Sequence, residues 1–345
     1  MNYVYNESKE RRRNTKTDKP EKERMKLRKI RYGIMGTARI IDRFVGAVRA
    51  SEKGEVLAIA SRSLEKARER ADGLGIDTVY GSYEDLAKDP DLDVIYVPTI
   101  NHAHKENAML ALLNGKHVLV EKPMTLSEKD TRELFDYARK QNLFIMEAQK
   151  SLFLPVTDEV KGILQNQELG KVHLYEYTIS IPEVGFRWFY DRKSGGGALY
   201  GSGNYILAHA MNLTEGKLSK ATGLATLSEE GVDLQCAFVL KSESGALIEG
   251  KITTMVQADS VLRIFGEKGK IEIHDFWKAR EATVEIYGES VRKISHPVEF
   301  EMVYEVDHVN ACLERGLHES PVMKSLYSME SAKITDDLWA QFLKA

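Results

Sequence analysis

The chain has 345 residues, 43% of them hydrophobic and 29% charged, and a formal net charge of -3 at pH 7. This length and apolar content suit a globular protein of two ordinary domains. The nearly balanced charge gives no electrostatic reason to expect a nucleic-acid partner. The two cysteines have no zinc-type spacing, and no apolar run reaches membrane-spanning length or resembles a signal segment, so we expect a cytoplasmic protein without a membrane partner.

Residues 1–28 differ in composition from the rest of the chain. Basic residues recur from Arg11 to Arg28 among very few apolar ones, which predicts a disordered basic tail. A solvated tail is favoured over a contact with nucleic acid or anionic lipid, because the basic run has no aromatic residues between its charges. A third interpretation is that translation starts at Met25, which would leave a short lead into the first strand.

From residue 29 to residue 147 the pattern alternates between short apolar runs and amphipathic segments. The runs predict strands and the amphipathic segments predict helices, an alternation typical of an α/β Rossmann domain with a doubly wound parallel sheet. The predicted strands are Ile30–Met35, Val56–Ala60, Val79–Tyr80, Val94–Val97, His117–Val120 and Leu143–Met146. The predicted helices begin after Gly36 and at Ser63, Tyr83, His102 and Ser127.

Residues 148–345 have a different texture, with closely spaced strands separated by turn signals. This pattern predicts an α+β domain with a large, mainly antiparallel sheet. The predicted strands are 172–181, 234–240, 246–254, 261–265, 271–274 and 283–287, and the predicted helices are 156–164, 304–315 and 325–342.

The segment His117–Pro123 carries the first candidate for catalysis. Its apolar run predicts a buried parallel strand, and Glu121 and Lys122 follow at the carboxyl end. Because ligands bind outside the carboxyl ends of such strands, Lys122 is expected in a crevice. On this motif alone, a solvated ion pair at a strand end is an equally good interpretation.

The first strand, turn and helix form a candidate dinucleotide site. Gly36, Ala38 and Ile41 stand where a G-x-G-x-x-G fingerprint has its three glycines, so only the first glycine is kept. The backbone from Gly36 to Ile40 is expected to approach the pyrophosphate at the start of the helix.

The end of the second strand indicates which dinucleotide is bound. An NAD site normally has an acidic residue there, but this chain has Ser61 and Arg62. The absence of a carboxylate and the presence of a guanidinium between hydroxyls favour NADP over NAD. The alternative is that Arg62 stacks on the adenine as an exposed residue at the start of a helix.

At this point the chain resembles the glucose-fructose oxidoreductase, inositol dehydrogenase and rhizopine catabolism family, abbreviated Gfo/Idh/MocA. The resemblance spans most of residues 30–345, and the ordered set of motifs is far more specific than any one of them. The residues that carry it are Gly33–Ala38, Ala60–Arg62, Val97–His104, Glu121–Pro123, Met146–Ala148 and Gly195–Leu199.

The resemblance implies hydride transfer between a nicotinamide cofactor and a secondary alcohol on a sugar-like substrate. It implies that Lys122 is catalytic and precedes a cis proline bond, and that the second sheet forms a homodimer or homotetramer interface. It also implies a cofactor site at the carboxyl edge of the first sheet, made of Gly36, Thr37, Ala38, Arg39, Ile40, Ser61, Arg62, Thr99, Asn101, His104, Glu121, Lys122 and Glu147.

The segment Gly197–Tyr205 departs from the family pattern. The resemblance places Tyr205 at the acid/base position, but Gly201 replaces the usual aspartate. The missing carboxylate implies a different substrate, a different partner or no turnover. His209, one helical turn beyond Tyr205, is a candidate substrate contact. The favoured interpretation of His209 is nevertheless a packed helical residue with satisfied hydrogen bonds.

Lys122 and Tyr205 are expected to act as one acid/base pair, in which the lysine ammonium lowers the pKa of the tyrosine. In the reductive direction Tyr205 protonates the alkoxide and Lys122 polarises the carbonyl, or the roles are reversed. Further candidate substrate contacts are Lys150 and Trp188, although Trp188 also suits a hydrophobic lid.

The leading hypothesis is therefore an NADP-preferring oxidoreductase of a sugar, polyol or cyclic diol. The alternative is a sensor or regulatory protein that binds nicotinamide and sugar without catalysis, which Gly201 favours. Metal catalysis through His102 and His104 ranks last because carboxylates at ligand spacing are missing.

Overall fold

The computed structural model describes residues 28–289 and 291–344. The prediction of a disordered tail lies outside these residues except at Arg28. The Arg28 guanidinium is bonded to Asp93, with Nη2 at 2.7 Å from Oδ1, and the tail before it stays a prediction. Within the described ranges no helix is long and apolar enough to cross a membrane.

The first sheet contains six parallel strands in the order β3-β2-β1-β4-β5-β6. This order reverses at β1, so the carboxyl ends of β1 and β4 border the crevice where such sheets bind ligands. The strands are β1 (Ile30–Met35), β2 (Gly54–Ala60), β3 (Thr78–Tyr80), β4 (Val94–Val97), β5 (His117–Glu121) and β6 (Ile145–Ala148).

Five helices connect these strands and bury their apolar faces against the sheet. Three of the helices begin after a serine that the sequence offers as a cap. Ser63, Ser82 and Ser127 accept hydrogen bonds from backbone amides in the first turns of their helices. The helices are α1 (Ile41–Ala50), α2 (Leu64–Leu74), α3 (Tyr83–Lys88), α4 (His104–Leu113) and α5 (Glu128–Lys140).

The second sheet contains eight strands in the order β14-β13-β12-β11-β7-β10-β9-β8. All neighbours are antiparallel except β7 and β10, which run parallel. The strands are β7 (Val172–Ser180), β8 (Thr222–Leu227), β9 (Asp233–Lys241), β10 (Leu247–Thr253), β11 (Val261–Gly266), β12 (Gly269–His274), β13 (Glu281–Ile286) and β14 (Val291–Ser295).

Four further helices pack against the two sheets: α6 (Pro155–Gln165), α7 (Asn204–Thr214), α8 (Val303–Glu314) and α9 (Ser325–Phe342). A short π-helix, Leu199–Gly203, leads directly into α7. The largest cluster of buried apolar side chains is shared by both sheets, since Tyr32 and Met146 belong to the same cluster as Tyr177 and Ile252.

The predicted fold class is confirmed: a parallel Rossmann sheet is followed by a large, mainly antiparallel sheet. One predicted strand is displaced, because β6 begins at Ile145 rather than Leu143. The amide of Leu143 bonds to the carbonyl of Ala138, which ties this residue to the end of α5. The displacement places Glu147 inside the strand.

The sequence patterns did not predict β8 or β14, and they did not give the bounds of α7, although His209 was expected on a helix. Helix α7 is buried along almost its whole length, so it lacks the amphipathic period that identifies a helix. Strand β14 has a single buried residue, Ile294, and therefore offers little apolar alternation.

Candidate active site

The predicted site residues lie along the carboxyl edge of the first sheet. Gly36 follows β1, Ser61 follows β2, Thr99 follows β4 and Lys122 follows β5. The second half of the chain contributes the segment that contains Tyr205, at the start of α7. The site is therefore assembled from segments far apart in the chain.

The loop from Gly36 to Ile40 fits a bound dinucleotide. Gly36 has a φ of 128°, which residues with a side chain rarely adopt. A Cβ atom at this position would lie 3.5 Å from Thr99 Cγ2 and 3.8 Å from the Tyr83 hydroxyl, so the glycine leaves room between them. The first turn of α1 carries no side-chain cap, although the amides of Ile41 and Asp42 bond to the carbonyls of Ala38 and Arg39. A helix start without a side-chain cap can receive a phosphate.

The end of β2 presents polar groups around the same loop. Ser61 is buried and its hydroxyl accepts a bond from the amide of Ser63 at 3.4 Å, while the Arg62 side chain is exposed. Burial raises the pKa of Tyr83, and the Arg62 charge opposes this rise. Arg62 and Tyr83 are thus neighbours beside Gly36.

Lys122 reaches from the end of the first sheet to the π-helix Leu199–Gly203. Its amine donates a 2.6 Å hydrogen bond to the carbonyl of Gly201. The Lys122–Pro123 bond is cis, as the resemblance implied. The preceding residue, Glu121, accepts a 2.6 Å bond from the hydroxyl of Tyr96. Lys122 therefore faces the backbone carbonyl of Gly201, the residue found in place of the aspartate that the resemblance implied.

Tyr205 lies beside two lysine amines. Lys122 Nζ is 4.7 Å from the centre of the Tyr205 ring, and Lys150 Nζ is 5.3 Å from it. The hydroxyl of Tyr205 bonds to Lys150 Nζ at 3.1 Å. The ring of Trp277 stacks against Tyr205 with centres 6.0 Å apart, which forms a half-buried aromatic wall.

The expectation of a lowered Tyr205 pKa is wrong. Burial raises the pKa of Tyr205 to about 12, and the neighbouring Lys122 charge only partly opposes this effect. Only 9% of the Tyr205 surface is exposed, so the cost of burying a phenolate outweighs the attraction of one cation. Burial also lowers the pKa of the Lys150 amine.

Glu147 was expected to contact the cofactor, but its side chain is completely buried. Its carboxyl accepts hydrogen bonds from the amide of Met124 at 3.2 Å, from the hydroxyl of Ser328 at 2.6 Å and from the side-chain amide of Asn204. Burial raises its pKa to about 7. Met124 follows the Lys122–Pro123 pair and Asn204 precedes Tyr205, so Glu147 joins the two segments from behind.

Asn101 and His104 also hold the site together instead of facing the crevice. Asn101 is 6% exposed and donates a 2.8 Å bond to the carbonyl of Gly195. His104 is completely buried, with Nδ1 at 2.7 Å from the carbonyl of Pro123 and Nε2 at 2.9 Å from that of Thr99. Asn101 and His104 were expected to contact the cofactor, but their side chains instead bond to the backbone of neighbouring loops.

His209 does not reach the crevice. It is completely buried on α7, with Nδ1 at 3.2 Å from the Tyr177 hydroxyl and Nε2 at 3.4 Å from that of Thr157. Burial lowers its pKa to about 3. The alternative interpretation, a packed helical histidine, fits this environment, and the candidate substrate contact is corrected.

The aromatic segment, residues 186–190, borders the crevice from the second half of the chain. Its Trp188 is half-buried and stacks on Phe186 with ring centres 6.1 Å apart. Phe186 in turn lies against the cofactor loop, 5.4 Å from the guanidinium carbon of Arg39. Phe189 packs close to Gly201, since a Cβ atom there would lie 3.4 Å from its ring. Trp188 remains a candidate substrate contact.

Several residues of the site were not found from the sequence: Tyr83, Trp277, Arg43 and Glu305. None belongs to a recognisable motif, and each reaches the site through long-range packing. Glu305, at the start of α8, is 1% exposed, and burial raises its pKa well above its ordinary value. Among residues 28–289 and 291–344, no group of three or more His, Cys, Asp or Glu side chains is arranged to hold a metal ion.

Comparison with known proteins identifies the family. Residues 30–149 match the model of an oxidoreductase family with an NAD-binding Rossmann fold, and residues 157–272 match the corresponding GFO/IDH/MocA C-terminal domain. The chain belongs to the Gfo/Idh/MocA family. The Gfo/Idh/MocA resemblance and the expectation of a nicotinamide-dependent oxidoreductase are thereby confirmed.

Relatives within the Gfo/Idh/MocA family match the chain over nearly their whole length. A trans-1,2-dihydrobenzene-1,2-diol dehydrogenase from Xenopus laevis is 35% identical over an alignment of 321 residues, with 90% of this chain and 97% of the relative covered. The Homo sapiens protein of the same name is 30% identical, with 90% and 96% covered.

Solved structures of the Gfo/Idh/MocA type share the fold. An aldose-aldose oxidoreductase from Caulobacter crescentus superimposes with a TM-score of 0.84 at 21% identity, covering 92% of this chain and 98% of that one. A 3-ketoreductase from Actinomadura kijaniata, in complex with NADP and TDP-benzene, gives 0.82 at 24% identity, with 90% and 97% covered.

The Glu147 junction predicts a pH-dependent stability. The carboxyl keeps its proton to a pH of about 7 in the folded protein but only to its ordinary value of 4.5 when unfolded. Its contribution is therefore fully present below pH 4.5 and is lost as the pH rises through 7. Between pH 5 and 8 the wild type should lose about 1–3 kcal/mol of unfolding free energy relative to Glu147→Gln, measured by urea denaturation.

The control for this prediction is Glu84→Gln, because Glu84 is exposed on α3. Its pH profile of stability should follow the wild type. Parallel profiles for wild type and Glu147→Gln would contradict the assignment of the pH dependence to Glu147.

Proposed function

We propose that the protein is an NADP-preferring oxidoreductase that interconverts a secondary alcohol and a ketone on a cyclic diol or sugar. The observation that carries this proposal is the position of Tyr205 beside the amines of Lys122 and Lys150, at the carboxyl edge of the parallel sheet. A hydroxyl and two amines in one crevice can move a proton on or off a substrate oxygen.

The cofactor preference rests on the residues around the first loop. The backbone of Gly36 and Ala38 and the start of α1 would hold the pyrophosphate. Ser61 and Arg62 would hold a ribose 2′-phosphate, which a guanidinium binds better than a carboxylate does. The NADP named with the Actinomadura reductase agrees with this preference.

Nicotinamide, when bound, supplies or accepts the hydride. The chain must therefore manage the proton and orient the substrate. Lys122, fixed by its bond to the Gly201 carbonyl, is placed to polarise the substrate oxygen, and Tyr205 is placed to exchange the proton with it. Tyr205 is buried and Lys122 is half-buried, so little water competes with these interactions at the tyrosine.

The substrate class follows from the walls of the crevice and from the relatives. Trp277 stacks on Tyr205, and Trp188 belongs to the aromatic segment, so flat apolar faces border the reactive groups. Such faces suit a ring-shaped substrate. The Xenopus and human relatives are named for a cyclic diol, and the structural neighbours for a ketone and an aldose. A cyclic diol is therefore the first substrate class to test.

Removal of the Lys122 amine should abolish turnover. Lys122→Met is expected to lower kcat by roughly 10²–10⁴-fold, the usual size of a general acid/base contribution. Cofactor affinity, measured by fluorescence titration, should change little. The assay is cofactor reduction over a panel of diols, inositols and sugars with NADP and NAD in parallel.

Lys129→Met is the matched control because Lys129 is exposed on α5. It should keep wild-type turnover. Near wild-type turnover by Lys122→Met would contradict the acid/base assignment. Cofactor binding by the wild type without turnover of any member of the panel would instead favour a sensor, the function that Gly201 suggests.

Removal of the Arg62 guanidinium should reduce selectivity for NADP. A hydrogen bond to a charged group is worth about 1.5–3 kcal/mol, so Arg62→Ala should weaken NADP binding by roughly 10–100-fold. Binding of NAD should stay nearly constant, because NAD lacks the 2′-phosphate. The measurement is isothermal titration of both cofactors.

Arg68→Ala provides the control for Arg62, since Arg68 is exposed on α2, the helix that follows Arg62. It should leave both affinities unchanged. An equal loss of NAD and NADP affinity in Arg62→Ala would show that the arginine does not distinguish the two cofactors.

We further propose that the open face of the second sheet joins copies of the chain into a homodimer or homotetramer. Leu224 on β8, Val239 on β9 and Leu247 on β10 are 69%, 42% and 47% exposed. Their register places them on one face, since Leu224 pairs with Ala237 and Leu247 with Lys241. Exposed apolar residues on neighbouring strands are typical of an interface.

A charge on this face should prevent association. Leu224→Glu is expected to lower the molar mass measured by light scattering toward that of one chain, because burying an unpaired carboxylate opposes the contact. Leu113→Glu is the control: Leu113 is 60% exposed on α4, away from the sheet face. A mass unaffected by Leu224→Glu would contradict this interface.

A further inference from the structure

The hydroxyl of Tyr205 is bonded to a different lysine from the one that the family resemblance pairs with it. Lys150 Nζ lies 3.1 Å from this hydroxyl. Lys122 directs its amine to the carbonyl of Gly201 instead and contacts the face of the Tyr205 ring. Within the part of the chain that the structure describes, Lys150 is the only residue bonded to the Tyr205 hydroxyl.

Lys150 is an unusual position for a cation. It lies in a short turn after β6 with only 6% of its surface exposed. Lysine is almost never so deeply buried unless a charge partner or a chemical role explains it. Its packing against Tyr205, itself 9% exposed, excludes water from the bond between them.

Glu305 supplies the second observation. It is 1% exposed, and neither carboxyl oxygen has a hydrogen-bond partner among the described residues. A buried carboxyl without partners is costly and calls for an explanation. The basic side chain that acts on Glu305 is Lys150, while Glu121 and Glu147 add negative charge. Burial disfavours the charged forms of both Lys150 and Glu305.

We propose that Lys150 is the proton acceptor and donor behind Tyr205, and that Glu305 is the buried acid that sets the protonation of Lys150. This inference rests on the proposed function, because it assigns the route of the proton that Tyr205 exchanges with substrate. It assigns Lys150 a role other than direct contact with substrate.

The proton route balances as follows. In alcohol oxidation the substrate O–H bond breaks and a new O–H bond forms on Tyr205. The original O–H bond of Tyr205 breaks as an N–H bond forms on the neutral amine of Lys150, which becomes an ammonium. The carbinol carbon loses a hydride, with two electrons, to the oxidised nicotinamide. Reduction follows the reverse order.

This route explains how Tyr205 can accept a proton, which a scheme without Lys150 does not. A buried tyrosine whose pKa is about 12 holds almost no phenolate at neutral pH, so it cannot accept a proton unless it gives one up at the same time. Lys150 provides the acceptor at hydrogen-bond distance. Burial disfavours the charged forms of both Lys150 and Glu305, and a proton held by Glu305 leaves the amine of Lys150 neutral.

The charged groups around the relay come from several elements. Those that act on Lys150 are Glu121 at the end of β5, Arg43 on α1 and Glu305 on α8. Lys122, Glu121, Glu305 and Arg43 act on Tyr205. Arg43 is itself paired with Glu301, so its charge is partly balanced.

The decisive variants are Lys150→Arg and Lys150→Ala. Arginine keeps a cation and hydrogen-bond donors but does not release its proton, so a relay predicts a loss of kcat of roughly 10²-fold or more. Methylamine should restore part of the lost kcat of Lys150→Ala, increasingly as the pH rises and more of the amine is neutral. Lys129→Ala, on the exposed face of α5, should keep its kcat and show no response to methylamine.

A spectroscopic measurement tests the same pair without cofactor or substrate. In protein labelled with ¹³C at the tyrosine Cζ, the Tyr205 resonance is identified by its absence from Tyr205→Phe. The chemical shift of this resonance should change over the pH range in which Lys150 titrates. This step in the pH profile should vanish in Lys150→Met. Glu305→Gln should move the step to lower pH, because removing a negative charge destabilises the ammonium.

Two results would overturn the relay. One is a Lys150→Arg variant with near wild-type kcat and an unchanged pH profile. The other is a Tyr205 resonance with the same pH response in wild type and Lys150→Met. Because the resonance is measured on the protein alone, failure of the relay is distinguishable from failure of the proposed function, which shows itself as an absence of turnover in the wild type.

Discussion

The geometry of the site depends on one buried carboxyl, that of Glu147. It accepts bonds from the amide of Met124, two residues after Lys122, and from the side chain of Asn204, the residue before Tyr205. The hydroxyl of Ser328 on α9 adds a third element. Glu147 is bonded to neither Lys122 nor Tyr205, but it joins the segment after Lys122 to the residue before Tyr205. It therefore helps to set the distance between these two side chains.

Around this junction the protein balances charges in a region with little water. Lys122, Lys150 and Arg43 are opposed by Glu121, Glu147 and Glu305, and no one pair accounts for the whole. In such surroundings the protonation of each group depends on the charges of its neighbours, so the groups titrate together rather than one by one. This arrangement gives a tyrosine that is a poor acid in isolation a means of exchanging its proton.

The sequence was sufficient for the fold class, for most strands of both sheets and for the positions of Gly36, Arg62, Lys122 and Tyr205. These features depend on local alternation, turn residues and an ordered set of motifs. Glu147, His104 and Asn101 were assigned to the correct region but to the wrong contacts. Their bonding partners lie on other segments, in the case of Glu147 and Ser328 181 residues away, and such pairings are not visible in local patterns.

The same limit applies to Tyr205 and Lys150. A neighbouring cation was the natural reason to expect a lowered pKa, but the sequence does not reveal how deeply the ring is buried. Burial decides the direction in which the pKa of Tyr205 shifts. The bounds of helix α7 were not predicted for a related reason: a helix that is surrounded by protein has no exposed polar face to define its period.

The aromatic segment, residues 186–190, has a consequence for how this scaffold diversifies. It meets the crevice through ring faces, at Arg39 on one side and Gly201 on the other. The groups that fix Lys122 and Tyr205 lie behind the crevice, in the buried junction. Substitutions in the segment can therefore reshape the space for a substrate while the proton-transfer geometry stays intact, so that selectivity and chemistry evolve as separate traits.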